Sequence, residues 1–196
     1  MKTYDLSELT NRLLNSRVNL VDKKSLSLIL GVDNERNLFL IISKLIQSDW
    51  LVKIERNKYM INNQKLHDFE LANFIYQPSY ISFESALNYW GILSQFPFET
   101  TSATLKNSKL KKNNDKNFSF TKIDKKYYFG FIKVNNFLIA SREKALFDQI
   151  YLWYKGLKQL NWDEYNLTKV NLTNLKKMLV VLNIAKKLDF INTRRI

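Results

Sequence analysis

The chain has 196 residues, 45% hydrophobic and 14% aromatic, enough apolar material for one large folded domain or two small ones. It has no cysteine and one histidine, His67, which excludes disulfides, thiolate chemistry and nearly all zinc sites, so neither a metal nor a cofactor is expected. The net charge of +13 is unevenly spread: residues 1–70 hold 11 Lys and Arg against 9 Asp and Glu, residues 71–196 hold 20 against 9, and a polyanion is the natural partner of the second part.

The first stretch, YDLSELTNRLLNS, places Leu6, Leu9, Leu13 and Leu14 at helical spacing. A second short helix follows in LVDKKSLSLILG, with Asp22 as its N-cap and Gly31 as its stop. Glu35 to Ser48 repeats apolar residues at Leu38, Ile41, Ile42 and Leu45 and turns Arg36, Asn37, Leu40, Ser43, Lys44 and Gln47 outward, which predicts a third helix. Trp50–Glu55 and Tyr59–Ile61 then read as two strands around a tight RNK turn, with Val52, Ile54 and Tyr59 facing inward.

Three helices and a hairpin in this order predict a winged helix-turn-helix, whose third helix enters the major groove while the hairpin reaches neighbouring backbone. Arg36 and Asn37 sit where base edges are read, with Ser43, Lys44 and Gln47 further along the same helix. Lys23, Lys24, Lys44, Arg56 and Lys58 would hold phosphates, with Asn57 at the tip of the hairpin. The same motif also serves as a protein-docking module, and the exposed face of the third helix includes Leu40, so an adaptor that binds an acidic protein partner directly, without sequence-specific DNA reading, is the alternative. His67, isolated between Leu66 and Asp68, reads as a surface or packing residue.

The boundary is expected at about residue 65, with a winged-helix domain over 1–65 and a basic mixed helix and sheet domain over 66–196, an α+β class overall. In the second domain Pro78 breaks the chain, Ser79 or Ser82 caps a helix from Phe83 to Trp90, and Gly91 ends it. The lysine-rich NSKLKKNNDKN lacks periodicity and reads as a mobile loop, whose Lys109, Lys111 and Lys112 would add phosphate contacts. FSFTKI, YYFGFIKV and FLIA follow as three strands of an antiparallel meander. The helix in SREKALFDQIYLWY turns Ala145, Leu146, Ile150 and Trp153 inward. A C-terminal amphipathic helix carries Leu175, Met178, Leu179, Leu182, Ala185 and Leu188 on one stripe and Lys176, Lys177, Lys186 and Lys187 away from it, ahead of Arg194 and Arg195.

SFESAL (Ser82–Leu87) and SREKAL (Ser141–Leu146) spell one pattern twice. A catalytic pair Glu84/Glu143 would need a pocket and a nucleophile or oriented water, for which the sequence offers no partner. The helix-start reading uses every fixed residue: serine at the N-cap, glutamate where the helix dipole favours an anion, alanine for close approach, leucine for the core. With few glycines and no phosphate loop or triad pattern, the chain is not expected to be an enzyme. The apolar runs, LFLII among them, fall far short of the ~18 residues of a membrane span, and the opening residues lack a secretory pattern, so a cytoplasmic protein is expected.

YQPSYISFESALNYWGI (Tyr76–Ile92), YYFGF (Tyr127–Phe131) and IASREKALFDQIYL (Ile139–Leu152), behind the helical head, resemble the AbiEi antitoxin family of bacterial abortive-infection systems. Ser141 stands where that family often has proline. The resemblance implies an antitoxin and transcriptional autorepressor of a type IV toxin–antitoxin operon. Its partners would be the promoter DNA of its own operon and, functionally, a nucleotidyltransferase-like toxin that the family opposes without a stable complex. It also implies that DNA is read by the third helix and hairpin, here Arg36, Asn37, Ser43, Lys44, Gln47, Arg56, Asn57 and Lys58.

Overall fold

The computed structural model describes residues 5–62 and 66–182 and divides the chain into two compact units, residues 1–67 and 68–196, of mixed α+β class. In the first unit each helix begins at a short polar side chain. Asp5 opens α1 (Leu6–Asn15), Asp22 opens α2 (Lys23–Leu30) by accepting from Ser25 N at 2.7 Å, and Asn34 opens α3 (Glu35–Gln47) by accepting from Asn37 N at 3.0 Å. Gly31 ends α2 in the left-handed region at φ 66°, the conformation that favours glycine there.

A strand the periodicity did not announce, β1 (Leu20–Asp22), pairs antiparallel with β3 (Lys58–Ile61), which pairs with β2 (Leu51–Glu55), giving the order β1-β3-β2. Leu13, Leu26, Leu30, Leu38, Ile42 and Leu45 fill the core between helices and sheet. On α3 the four expected core residues Leu38, Ile41, Ile42 and Leu45 are buried. The hairpin differs from expectation: Leu51 and Ile61 face each other on the inner side with Tyr59, and Val52 and Ile54 are only half-buried. Side chains alternate along a strand, so placing Leu51 inward takes Val52 away from the core.

In the second unit α4 (Asp68–Ile75) leads into β4 (Ser79–Ile81), α5 (Phe83–Tyr89) and β5 (Thr100–Thr104). Then come β6 (Lys109–Asn113), β7 (Lys116–Lys122), a 3-10 turn at Lys125–Tyr127, β8 (Phe131–Val134) and β9 (Phe137–Ala140). The six strands form one sheet in the order β6-β7-β5-β4-β9-β8. This corrects the expected antiparallel meander, because β4 and β5 enter the middle, β5 runs parallel to β7 and β4 parallel to β9. It also corrects the lysine-rich loop: Lys109–Asn113 is an edge strand in register with Asn117, Phe118 and Phe120 of β7. Strand β8 starts only at Phe131, since the 3-10 turn and Gly130 interrupt YYFGF.

These strands escape a hydrophobic pattern for local reasons. β4 has three residues, all buried on both faces, and β5 is Thr-Thr-Ser-Ala-Thr with no large apolar side chain. α6 (Arg142–Tyr154) and α7 (Leu172–Val180) follow among the described residues. On α6 every residue from Lys144 to Leu152 is buried, whereas Trp153 is half-buried, so its buried face is wider than the expected stripe. Leu175, Leu179 and Leu182 are buried, Met178 is half-buried and Lys176 and Lys177 are exposed. Ala185, Lys186, Lys187, Leu188, Arg194 and Arg195 lie outside the described residues.

Candidate nucleic-acid interface

Burying Leu38, Ile41, Ile42 and Leu45 rotates the opposite side of α3 into solvent, so Arg36, Leu40, Lys44 and Gln47 are exposed along one stripe. Asn37 and Ser43 are half-buried at its margins, and the Ser43 hydroxyl donates to the Phe39 carbonyl at 3.0 Å. The stripe is partly apolar, for Phe39 is 66% and Leu40 46% exposed, and Leu28 of α2 is 73% exposed.

At the hairpin turn Arg56 and Asn57 are exposed, and Asn57 sits at φ 61°. Asparagine tolerates this left-handed conformation, which lets β2 reverse into β3. The Lys23 amide donates to the Asn57 carbonyl at 2.9 Å and so ties the turn to the start of α2. An open groove of about 580 Å³ lies in this unit, its lining mixing Lys23 and Lys24 with Asp22, Asp33 and Glu35. Lys23 forms an ion pair with Glu35 and holds that carboxyl below its usual range, and Lys58 pairs with Glu55 at 2.7 Å. Lys24, Arg36, Lys44 and Arg56 pair with no carboxylate among the described residues.

The three candidate lysines of the second unit do not form one cluster. Side chains alternate along β6, so Lys109 and Lys111 share the face of Phe118 and Phe120, and Lys112 projects from the other. The Lys111 ammonium donates to the Ile75 carbonyl at 2.9 Å, at the C-terminal end of α4, and lies 5.6 Å from the Tyr76 ring centroid. Lys111 therefore braces the helix end, while Lys109 and Lys112 are exposed.

The two glutamates of the repeated pattern are each engaged locally. Glu84 pairs with Lys158 and accepts from Gln149 Nε2 at 3.1 Å, and Glu143 accepts the Asn171 amide at 2.9 Å. Ser141 caps α6 through Lys144 N at 3.2 Å. Ser82 precedes α5 but makes no side-chain cap, which corrects the cap expected there, and Ser79 lies within β4.

Sequence reasoning missed a buried polar network in which Ser82 takes part. Asp148 accepts from Ser82 Oγ at 2.6 Å, from Tyr80 Oη at 2.9 Å and from the Lys144 ammonium, which also donates to the Tyr127 carbonyl at 2.7 Å. The Phe147, Phe129 and Tyr80 rings lie 4.6, 4.8 and 5.7 Å from that ammonium. Burial pushes the Asp148 carboxyl up and the Lys144 ammonium down from their ordinary values, each opposed by the other's charge. A Cβ at Gly130 would lie 3.1 Å from the Lys144 stem, closer than ordinary contact, and Gly130 sits at φ 72°, so a side chain there would be strained and would crowd the lysine. The available signal was a Lys and an Asp one helical turn apart with only the apolar Ala145, Leu146 and Phe147 between them.

Among the described residues no group of three or more His, Cys, Asp or Glu side chains is placed to hold a metal, and no helix is long and apolar enough to cross a membrane. Comparison with protein-family models and with curated proteins finds no match for this chain.

Proposed function

We propose that this protein is an antitoxin and autorepressor of the AbiEi type, binding the promoter DNA of its own operon through a winged helix in residues 1–65. The observation that carries the reading is the exposed stripe Arg36–Leu40–Lys44–Gln47 on α3, in a unit whose hairpin presents Arg56 and Asn57 to solvent. The element order α1, β1, α2, α3, β2, β3 supports it, since a helix placed third and followed by a hairpin is the arrangement that reads a major groove. Arg36 and Gln47 would meet base edges, Lys44 and Arg56 phosphates, and the exposed Phe39 ring suits a thymine methyl. Lys23 and Lys58, already paired with carboxylates, would contribute less. The functional partner would be a nucleotidyltransferase-like toxin encoded beside it, and the protein itself would be non-catalytic and cytoplasmic.

The test is binding of the full chain to the DNA upstream of its own gene, against a scrambled duplex, at several salt concentrations. Preference for the promoter sequence that Arg36→Ala weakens supports the reading, and equal affinity for both duplexes at every salt overturns it.

One observation favours a second reading. Leu28, Phe39 and Leu40 are exposed apolar side chains on α2 and α3, which suits docking onto a protein. A complex with the neighbouring gene product that survives nuclease and moderate salt, and that Phe39→Ala disrupts, would select it.

A further inference from the structure

Between α5 and β5 the chain runs through Ser94-Gln95-Phe96-Pro97-Phe98-Glu99 and leaves Phe96 85% and Phe98 104% exposed. Burying either ring would be worth about 1.5–3 kcal/mol, and the same unit buries Phe83, Phe118, Phe120 and Phe147. The segment is held at both ends. Asn88 Nδ2 donates to the Leu93 and Gln95 carbonyls at 3.2 and 3.1 Å, Ser85 Oγ donates to the Glu99 carbonyl at 3.3 Å, and Pro97 fixes its own φ between the rings. The rings are thus presented on a braced frame.

Sheet topology decides what lies at the same end. Thr100 is in parallel register with Phe118, and Phe118 faces Lys111, so the entry to β5 and the β6–β7 turn share one end of the sheet. β6 stands two strand spacings from β5, about 10 Å. From Lys106 to Lys133 the sequence holds nine lysines against two acids, Asp115 and Asp124. Lys111 and Lys116 are committed to Ile75 and Asp68, whereas Lys109 and Lys112 are exposed and pair with no carboxylate among the described residues.

Exposed phenyl faces at the same end of the sheet as the unpaired Lys112 match one ligand class best. Single-stranded nucleic acid offers π faces that stack at about 1–3 kcal/mol per base together with a phosphate chain for the ammonium groups. A duplex keeps those faces inside its own stack. A protein partner would need about 800 Å² on each side with a lysine-poor core; here two rings stand next to exposed Ser94 and Gln95, at the sheet end shared with the lysine-bearing β6. We propose that the end of the sheet bearing Phe96, Phe98 and Lys112 is a binding site for single-stranded nucleic acid. This site is independent of duplex reading by the first unit.

The test is fluorescence anisotropy of the full chain with labelled oligo-U and oligo-dT of about 12 nucleotides and with the promoter duplex. Phe96→Leu/Phe98→Leu should weaken single-strand binding by about 10-fold or more, Phe96→Tyr/Phe98→Tyr should restore it, and Lys112→Glu should weaken it and flatten its salt dependence. The ratio of the oligo-U and oligo-dT affinities assigns the ligand to RNA or DNA. The promoter arm should be unchanged in the leucine variant, and Arg36→Ala should change only that arm, so the two sites fail separately. Absence of single-strand binding at low salt, or leucine variants that bind both oligonucleotides as the parent does, would overturn the site. So would a captured protein partner lost in the leucine variant while oligonucleotide binding stays intact.

Discussion

Ser82 Oγ donates to Asp148 Oδ2 at 2.6 Å, joining the residue before α5 to the middle of α6 across 66 positions of sequence. The hydroxyl that would have capped α5 is spent on this bond, and Phe83, the next residue, sits at φ 55° while fully buried. A bulky side chain in the left-handed region costs on the order of 1–3 kcal/mol and persists where its surroundings over-determine it. Asp148, which accepts from Tyr80, Ser82 and Lys144, anchors the residue before Phe83, and Phe83 is itself packed in the core.

Removing one charge of the buried pair should therefore be severe. Asp148→Ala is expected to destabilise the protein by about 3–5 kcal/mol, because Lys144 is left buried without its counter-charge, whereas Lys144→Met combined with Asp148→Leu should recover much of the loss. Urea unfolding of the full chain reads both values. A single-variant loss below about 1 kcal/mol would show that the pair does not hold this unit together.

The repeated serines should separate in the same assay. Ser141→Ala removes an ordinary helix cap and is expected to cost about 1 kcal/mol. Ser82→Ala strips a hydrogen bond from a buried carboxylate and should cost about 1–3 kcal/mol, the larger loss. Reversal of that order would contradict the different roles given to the two copies.

Neighbouring lysines on β6 should respond differently to charge reversal. Lys111→Glu loses the bond to the Ile75 carbonyl, worth about 1.5–3 kcal/mol for a charged donor, and sets an anion against the C-terminal end of α4. Lys112→Glu should change stability by no more than about 0.5 kcal/mol. Thermal melts of both variants test this, and equal melting temperatures would refute the bracing role of Lys111.

Asp22 provides a pH-dependent contribution of definite sign. Hydrogen bonding from the Ser25 backbone lowers its carboxyl below the ordinary value of 3.8, so the cap stabilises the fold above that value and the contribution is lost as pH falls through the lowered one. Asp22→Ala should cost about 1 kcal/mol at neutral pH, and the gap between variant and parent should close on acidification. A gap that stays constant or widens in acid would exclude the ionised cap as its source.

The legible features were those whose cause lies within a few residues. Asp22 and Gly31 bound α2 because caps are local chemistry, and Leu38, Ile41, Ile42 and Leu45 mark the buried side of α3 because one helical face packs on one core. With that side known, Arg36, Lys44 and Gln47 had to lie on the other. The site on β6 was read less well, since the same lysine run divides between a helix brace and exposed side chains only once Phe118 and Phe120 set its register.

The strand order of the second unit and the partners that the Lys144–Asp148 pair draws from outside α6 were out of reach of any local pattern. Tyr80, Ser82, Tyr127, Lys144 and Asp148 meet because β4 and α6 are brought together around them, and a buried charge is affordable only when all its partners arrive. Periodicity and capping report interactions between residues about four apart, whereas sheet pairing and charge burial depend on contacts many tens of residues apart, which the folded chain alone creates.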